Sequence, residues 1–100
     1  MLYKARDYFF VTLTNRIRLR IIDHLRETGP KNVTKICAAL KMDQTTVSHN
    51  LSRLRNCGFV IVKKNGKERV YSINKETVNP LLKLIEKHTE KYCMHCIEKR

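Results

Sequence analysis

After Asp43 the chain reads Gln44-Thr45-Thr46-Val47-Ser48-His49-Asn50-Leu51-Ser52-Arg53-Leu54-Arg55-Asn56. Wound into a helix, Val47, Leu51 and Leu54 fall at i, i+4 and i+7 and share one side. Gln44, Thr45, Ser48, His49 and Ser52 then point largely the other way. Amide, hydroxyl and imidazole groups can each donate and accept hydrogen bonds, so this face suits the reading of a patterned polar surface. Arg53 and Arg55 add guanidinium groups whose fork matches phosphate. A second cluster, Cys93-Met94-His95-Cys96, stands near the C-terminus. On a helix, Cys-x-x-Cys places two sulfurs on one face, and thiolates with an imidazole suit Zn²⁺. A closed tetrahedral site takes more ligands; His95 lies on an adjacent face, and a partner chain could add another. The same pair could oxidise or cross-link two chains, or it could fill the end of an apolar stripe. All three readings stay open. No nucleophile–base pair, paired carboxylates or phosphate loop stands elsewhere. The chain therefore does not read as an enzyme, and it calls for no small-molecule substrate and no required cofactor; Cys93, His95 and Cys96 are the candidate zinc ligands.

The elements that position these groups follow from periodicity and caps. Residues 2–12 predict a first helix, with Leu2, Ala5, Phe9 and Phe10 at helical spacing. Asn15 can cap a second helix over 16–28, where Ile17, Ile21 and Leu25 form a stripe beside Ile22. Gly29-Pro30 stops it. A short helix over 34–41 follows, with Thr34 as its expected cap and Ile36, Cys37 and Leu40 inside. Asp43 can cap the helix of the polar face, and Gly58 suits its C-terminal close. The period then changes to two. Phe59-Val60-Ile61-Val62 and Arg69-Val70-Tyr71-Ser72-Ile73 read as a two-stranded hairpin, and Asn65-Gly66 as its type I′ turn. Its tip carries Lys63, Lys64 and Lys67, with Arg69 following, although hairpin tips are often charged anyway. The last helix is expected to start at Asn79-Pro80, with Asn79 as cap, after a turn over 75–78. In it Val78, Leu81, Ile85, His88, Tyr92 and His95 make a near-heptad stripe, widened by Leu82 and Leu84. Cys37 and Cys57 read as small buried hydrophobes.

The formal net charge is +12, and +8 of it falls within residues 29–75, which hold Asp43 and Glu68 as their only acids. A charge surplus concentrated in one segment is a footprint for phosphates rather than an even solvating coat. The first residues, with Lys4, Arg6 and Asp7, make no secretory signal. No apolar run approaches the roughly 20 residues that span a bilayer. The expectation is a soluble cytoplasmic protein with reduced thiols and no membrane partner. A chain of 100 residues is the size of one domain.

Helix, short helix, turn, helix and basic hairpin, in that order, make a winged helix-turn-helix: mainly α with a small β-hairpin, an α+β class. An α-helix fits the major groove of B-DNA, where each base pair has its own donor and acceptor pattern. Residues 12–75 would form the DNA-binding core, with the wing at 59–73, and residues 1–11 and 76–100 the dimerisation helices.

The stretch Val47 to Arg55 resembles the ArsR family of metal- and stress-responsive repressors. So do Arg18-Leu19-Arg20-Ile21-Ile22, Ile36-Cys37-Ala38-Ala39-Leu40, and Gly66 to Tyr71, in the family's order and spacing. The resemblance covers about residues 12–75. It implies DNA contacts at Gln44, Thr45, Ser48 and His49 with the wing in support, and a homodimer built through the first and last helices. Phe9, Leu81, Ile85, His88 and Tyr92 are the candidate interface residues. Lys41 departs from the family's turn, which often has Gly. Many relatives release DNA when metal binds. The positions matching their ligand sets here are about Asn32 and Thr34, and about Lys75, Thr77, His88 and Lys91; only His88 is a ligand type. The resulting expectation is a sequence-specific, homodimeric repressor that occludes a promoter at an inverted repeat of double-stranded DNA. The alternatives are a non-specific DNA-binding protein and a metal- or redox-responsive regulator sensing through the C-terminal Cys/His cluster.

Overall fold

A computed structural model describes residues 2–94. The order is α1 (Leu2–Leu13), α2 (Arg16–Thr28), β1 (Lys31–Asn32), α3 (Val33–Leu40), α4 (Gln44–Asn56), β2 (Val60–Asn65), β3 (Glu68–Ile73) and α5 (Val78–Tyr92). Ile21, Ile22 and Leu25 of α2 meet Ile36 of α3 and Val47, Leu51 and Leu54 of α4 in one core. Phe59, Val60, Tyr71 and Ile73 close it from the sheet, and Val78 and Leu82 from α5. Each fully covered aliphatic or aromatic side chain contributes about 1.5–3 kcal/mol by leaving water.

The helix ends follow local chemistry. Asn15 caps α2, its side chain accepting from the Arg18 N–H at 3.0 Å. Gly29 closes the helix with its N–H on the Leu25 carbonyl. At the end of α4 the Phe59 N–H reaches the Leu54 carbonyl at 2.9 Å and the Gly58 N–H reaches that of Arg55 at 3.0 Å. This is a Schellman close, with Gly58 at φ 78°. It delivers Phe59 into the core beside Leu54, both fully buried.

Four local expectations need correction. The cap of α3 is Asn32 rather than Thr34: Asn32 ends β1 in extended conformation and accepts from the Lys35 N–H at 2.8 Å. The wing has three strands rather than two, in the order β1-β3-β2, with Lys31 opposite Tyr71 and Asn32 opposite Val70. Two residues cannot display a period of two, which hid β1. The hairpin turn is Gly66-Lys67 rather than Asn65-Gly66, because Asn65 pairs with Glu68. Gly66 alone of the turn pair has positive φ, 69°. A Gly with positive φ at the first central position is the type II′ pattern instead of I′. Finally, α5 starts at Val78 with Thr77 before it, so Asn79 is not its cap. The Asn74 side chain turns the backbone first, accepting from the N–H groups of Glu76 at 3.0 Å and Thr77 at 3.3 Å. Pro80 still falls in the first turn, where its missing N–H costs nothing.

The flanking helices dock by different means. α5 buries Val78 and Leu82 and is clamped to α2 by a two-pronged Arg26–Glu86 ion pair, both contacts at 3.0 Å. α1 stacks Phe9 on Phe59, ring centroids 4.6 Å apart and 22° from parallel. Leu2, Tyr3, Phe10 and Val11 of α1 and Leu84 of α5 are exposed, Leu84 at 64%. No helix among the described residues is long and apolar enough to cross a membrane.

Candidate nucleic-acid interface

α4 is seated by Val47, Leu51 and Leu54, all fully buried. Its first turn is fixed by Asp43, which accepts from the Thr46 N–H at 2.9 Å and the Thr46 hydroxyl at 2.7 Å. These bonds to the ionised form hold the Asp43 carboxyl below the ordinary carboxylate range. Just before it, Lys41 closes α3 in the left-handed region, φ 56° and ψ 49°, with its N–H on the Cys37 carbonyl. The chain thus makes with Lys the turn that favours Gly.

With the inner side anchored, Gln44, Thr45, His49 and Ser52 are exposed and Ser48 is half-buried beside them. The five side chains singled out by spacing are therefore presented together as one polar edge. Arg55 is exposed at the far end of the helix. Arg53 is placed differently: its Nε donates to the Thr12 hydroxyl at 3.0 Å and its guanidinium lies 4.2 Å from the Tyr8 ring centroid. That group is engaged with α1, away from the polar edge.

Lys63, Lys64, Lys67 and Arg69 are all exposed on the wing. Register sorts them. Lys64 lies directly opposite Arg69, and Lys63 opposite Val70. Cross-strand partners share a face, so Lys64 and Arg69 form a doubly positive pair on one side and Lys63 lies on the other. Like charges set opposite each other weaken a hairpin, and an anion between them removes that penalty. The wing is braced from behind: the Asn32 side-chain amide donates to the Glu68 carboxylate.

Of the interface residues expected for a dimer, Phe9 is turned to the chain's own core, and Leu81 and Ile85 are half-buried. His88 and Tyr92 are exposed, their rings 4.9 Å apart. Cys93 is exposed and carries a free thiol; His95 and Cys96 lie outside the described residues. Among the described residues, no group of three or more His, Cys, Asp or Glu is arranged to hold a metal ion. Cys37 and Cys57 are half-buried free thiols against the core.

Residues that spacing arguments passed over also converge here. Asn50 is buried on the inner side of α4, and Arg18 of α2 donates to its Oδ1 at 3.2 Å. A polar residue set among Val47, Leu51 and Leu54 was the one available signal.

A capped helix with an anchored inner side and a polar outer edge, beside a basic wing, defines a winged helix-turn-helix DNA-binding protein. Residues 15–62 match the family model described as "Bacterial regulatory protein, arsR family". The chain is 33% identical over 84 residues to an uncharacterised HTH-type transcriptional regulator of Methanocaldococcus jannaschii, covering 84% of this chain and 94% of that one. It is 37% identical over 76 residues to the transcriptional repressor PagR of Bacillus anthracis, covering 74% of each. The fold superposes with a TM-score of 0.84 on a homodimeric winged helix-turn-helix DNA-binding domain of Mycobacterium bovis, described as a possible ArsR-family regulator. That match has 31% identity and covers 94% of this chain and 86% of that one. The chain belongs to the ArsR family of transcriptional regulators. It is a DNA-binding regulator and not an enzyme.

Proposed function

We propose that the chain is a homodimeric, sequence-specific repressor that occludes a promoter by binding an inverted repeat. The observation that carries this reading is the polar edge of α4: Gln44, Thr45, His49 and Ser52 exposed together on a helix whose other side is fully buried. A protein that bound DNA by charge alone would need the basic wing but no such edge. Gln44, Thr45, Ser48 and His49 meet base edges in the major groove, with Ser52 beside them. Arg55, Lys63, Lys64, Lys67 and Arg69 take phosphates. Residues 12–75 do the reading and the flanking helices do the pairing. Repression is supported by the likeness to PagR, and dimerisation by the likeness to the homodimeric M. bovis domain. The apolar residues left exposed on α1 and α5 are the surface a second copy would cover.

The test is selection from a random duplex pool with reduced, metal-free protein at about 0.15 M salt, where loose charge contacts are already screened. The expected product is an inverted repeat with half-sites about one helical turn apart. Binding with no enriched sequence would overturn the specific reading in favour of a non-specific DNA-binding protein. Ser48→Ala with His49→Ala separates the two readings again, abolishing discrimination in the first and leaving binding unchanged in the second.

A further inference from the structure

We infer that Arg18 and Asn50 are positioning residues: through Thr12 they fix the angle between the reading helix α4 and the flanking helix α1, and so set which half-site spacing the dimer accepts. The inference rests on the dimeric reading proposed above and names the residues that give it its geometry.

α1 is weakly held by apolar packing. Among its described residues Thr12 alone is buried, at 0% exposure, and Thr12 is polar. Phe9 and Leu13 add partial apolar contact with the core. The Phe9–Phe59 stack orients α1 against Phe59 rather than against α4, and the remaining apolar contact is non-directional. Hydrogen bonds are directional, and here they come as a set. Arg18 Nε donates to the Thr12 carbonyl at 2.6 Å, and its Nη2 to the Val11 carbonyl at 3.4 Å. These carbonyls belong to the last turn of α1, where the backbone ladder does not reach them and side chains take them up, the Thr14 hydroxyl also donating to that of Val11 at 3.1 Å. The other arm of the same guanidinium, Nη1, donates to Asn50 Oδ1 at 3.2 Å. Asn50 is in turn locked to α4, its Nδ2 donating to the Thr46 carbonyl at 2.9 Å. From the opposite side Arg53 Nε donates to the Thr12 hydroxyl at 3.0 Å, and that hydroxyl donates to the Tyr8 carbonyl at 2.8 Å. One planar group on α2 therefore grips the end of α1 and the middle of α4 at once.

Such a site is expensive to build from these parts. Asn50 is only 7% exposed, on the inner face of α4, where an aliphatic side chain would bury more apolar area. Two guanidinium groups also converge on one threonine. Burial and the neighbouring Arg53 push Arg18 below the ordinary guanidinium value. A directional link between the two helices is what the arrangement gives in return. Thr46, which receives Asn50, is the residue tied to the Asp43 cap, so the link ends at the first turn of the reading helix.

In a dimer paired through its flanking helices, the α1–α4 angle in each protomer sets the distance and rotation between the two reading helices. A stiff connection restricts the spacings both half-sites can satisfy together; a loose one tolerates several. Lys in place of Arg18 keeps the charge but cannot bridge two acceptors with a planar fork. Leu in place of Asn50 fills the space but accepts nothing. Asp in place of Asn50 keeps the acceptor for Arg18 but loses the donor to the Thr46 carbonyl.

The experiment compares wild type, Arg18→Lys, Asn50→Leu and Asn50→Asp by two readouts. The first is the orientation of α1 relative to α4 from backbone amide residual dipolar couplings on the DNA-free protein. The second is affinity for inverted-repeat duplexes whose central spacing is changed one base pair at a time. Wild type is expected to show one fixed orientation and a preference of about tenfold for one spacing over its neighbours; Asn50→Asp, which keeps the bond to Arg18 but not the one to Thr46, should lose less than Asn50→Leu. Asn50→Leu and Arg18→Lys should average the α1 couplings and reduce that preference to about twofold, with base preference inside each half-site retained. Asn50→Leu with unchanged couplings and unchanged spacing preference overturns the inference. Arg18→Lys with unchanged couplings and unchanged spacing preference also overturns it, since the planar fork would then be irrelevant. If wild type selects no inverted repeat, the proposed function fails while the couplings still decide the clamp.

Discussion

Asp43 accepts from both the N–H and the hydroxyl of Thr46, so the start of α4 depends on one carboxylate. Its folded-state pKa is depressed, so its contribution is present above the ordinary carboxylate pKa and is lost as pH falls through the depressed value. Asp43→Ala should lower Tm at neutral pH and converge with wild type in strong acid; an equal gap at both pH values would show that the carboxylate charge is irrelevant. Two residues earlier Lys41 sits at φ 56°. Relief of a left-handed non-glycine residue, offset by the greater freedom of unfolded Gly, should make Lys41→Gly about 1 kcal/mol more stable in urea titration. The Asn15 and Asp43 caps were legible in the sequence because a cap involves neighbours along the chain. Arg18 and Asn50 were not, because their meeting across α2 and α4 is a tertiary event. Arg53 could be read as a guanidinium but not as one already held by Thr12 and Tyr8.

At the scale of elements, the wing carries charges that oppose one another. Lys64→Glu would face Arg69 with a carboxylate, and should raise Tm while weakening DNA binding. The binding loss should come with a salt slope, log K against log salt, shallower by about 1 or more; weaker binding at an unchanged slope would remove Lys64 from the phosphate contacts. α5 responds to acid by another route. Its Glu86 is held below the ordinary carboxylate range by the hydrogen bond from Arg26, and Arg26 is raised by the same bond. The pair is thus fully formed above the ordinary carboxylate pKa and lost as pH falls through the depressed one. Amide exchange in α5 should rise in that acid window, and Glu86→Gln should abolish the change. The five helices were legible from their periods. The limits at β1, the α3 cap, the II′ turn and the start of α5 were not. Each was decided by a pairing that the local pattern does not show: Tyr71 for Lys31 in β1, Val70 for Asn32 at the α3 cap, Glu68 for Asn65 at the turn, and before α5 Gly58 for Asn74, whose side chain donates to the Gly58 carbonyl at 3.0 Å.

At the scale of the molecule, a shared axis would align two basic wings and two polar edges on one side of a dimer. Six to eight phosphate contacts predict a salt slope of about −5 to −7. Leu84, exposed at 64% on α5, is the position to probe for pairing: Leu84→Glu should give a monomeric mass at micromolar concentration where wild type gives a dimer. Circular dichroism matching wild type confirms that the protomer stays folded. A wild-type monomer at that concentration would remove the two-fold site from the proposal. The stripe of α5 was visible in the sequence, but its division was not. Val78 and Leu82 are spent on the chain's own core, and only packing shows which side of a stripe a protomer keeps for itself.

The small strand β1 has a consequence for how the chain comes together. Lys31 and Asn32 pair with Tyr71 and Val70 across the entire helix-turn-helix segment. As the chain emerges N-terminus first, Asn32 can cap α3 at once, while its backbone edge waits for β3 to be made. Pairings so distant along the chain carry a loop-closure cost that the helix-internal contacts between them do not. The three-stranded sheet therefore acts as a clasp around the helix-turn-helix: a chain that ends before β3 has α3 and α4 in full but no edge on which Lys31 and Asn32 can pair.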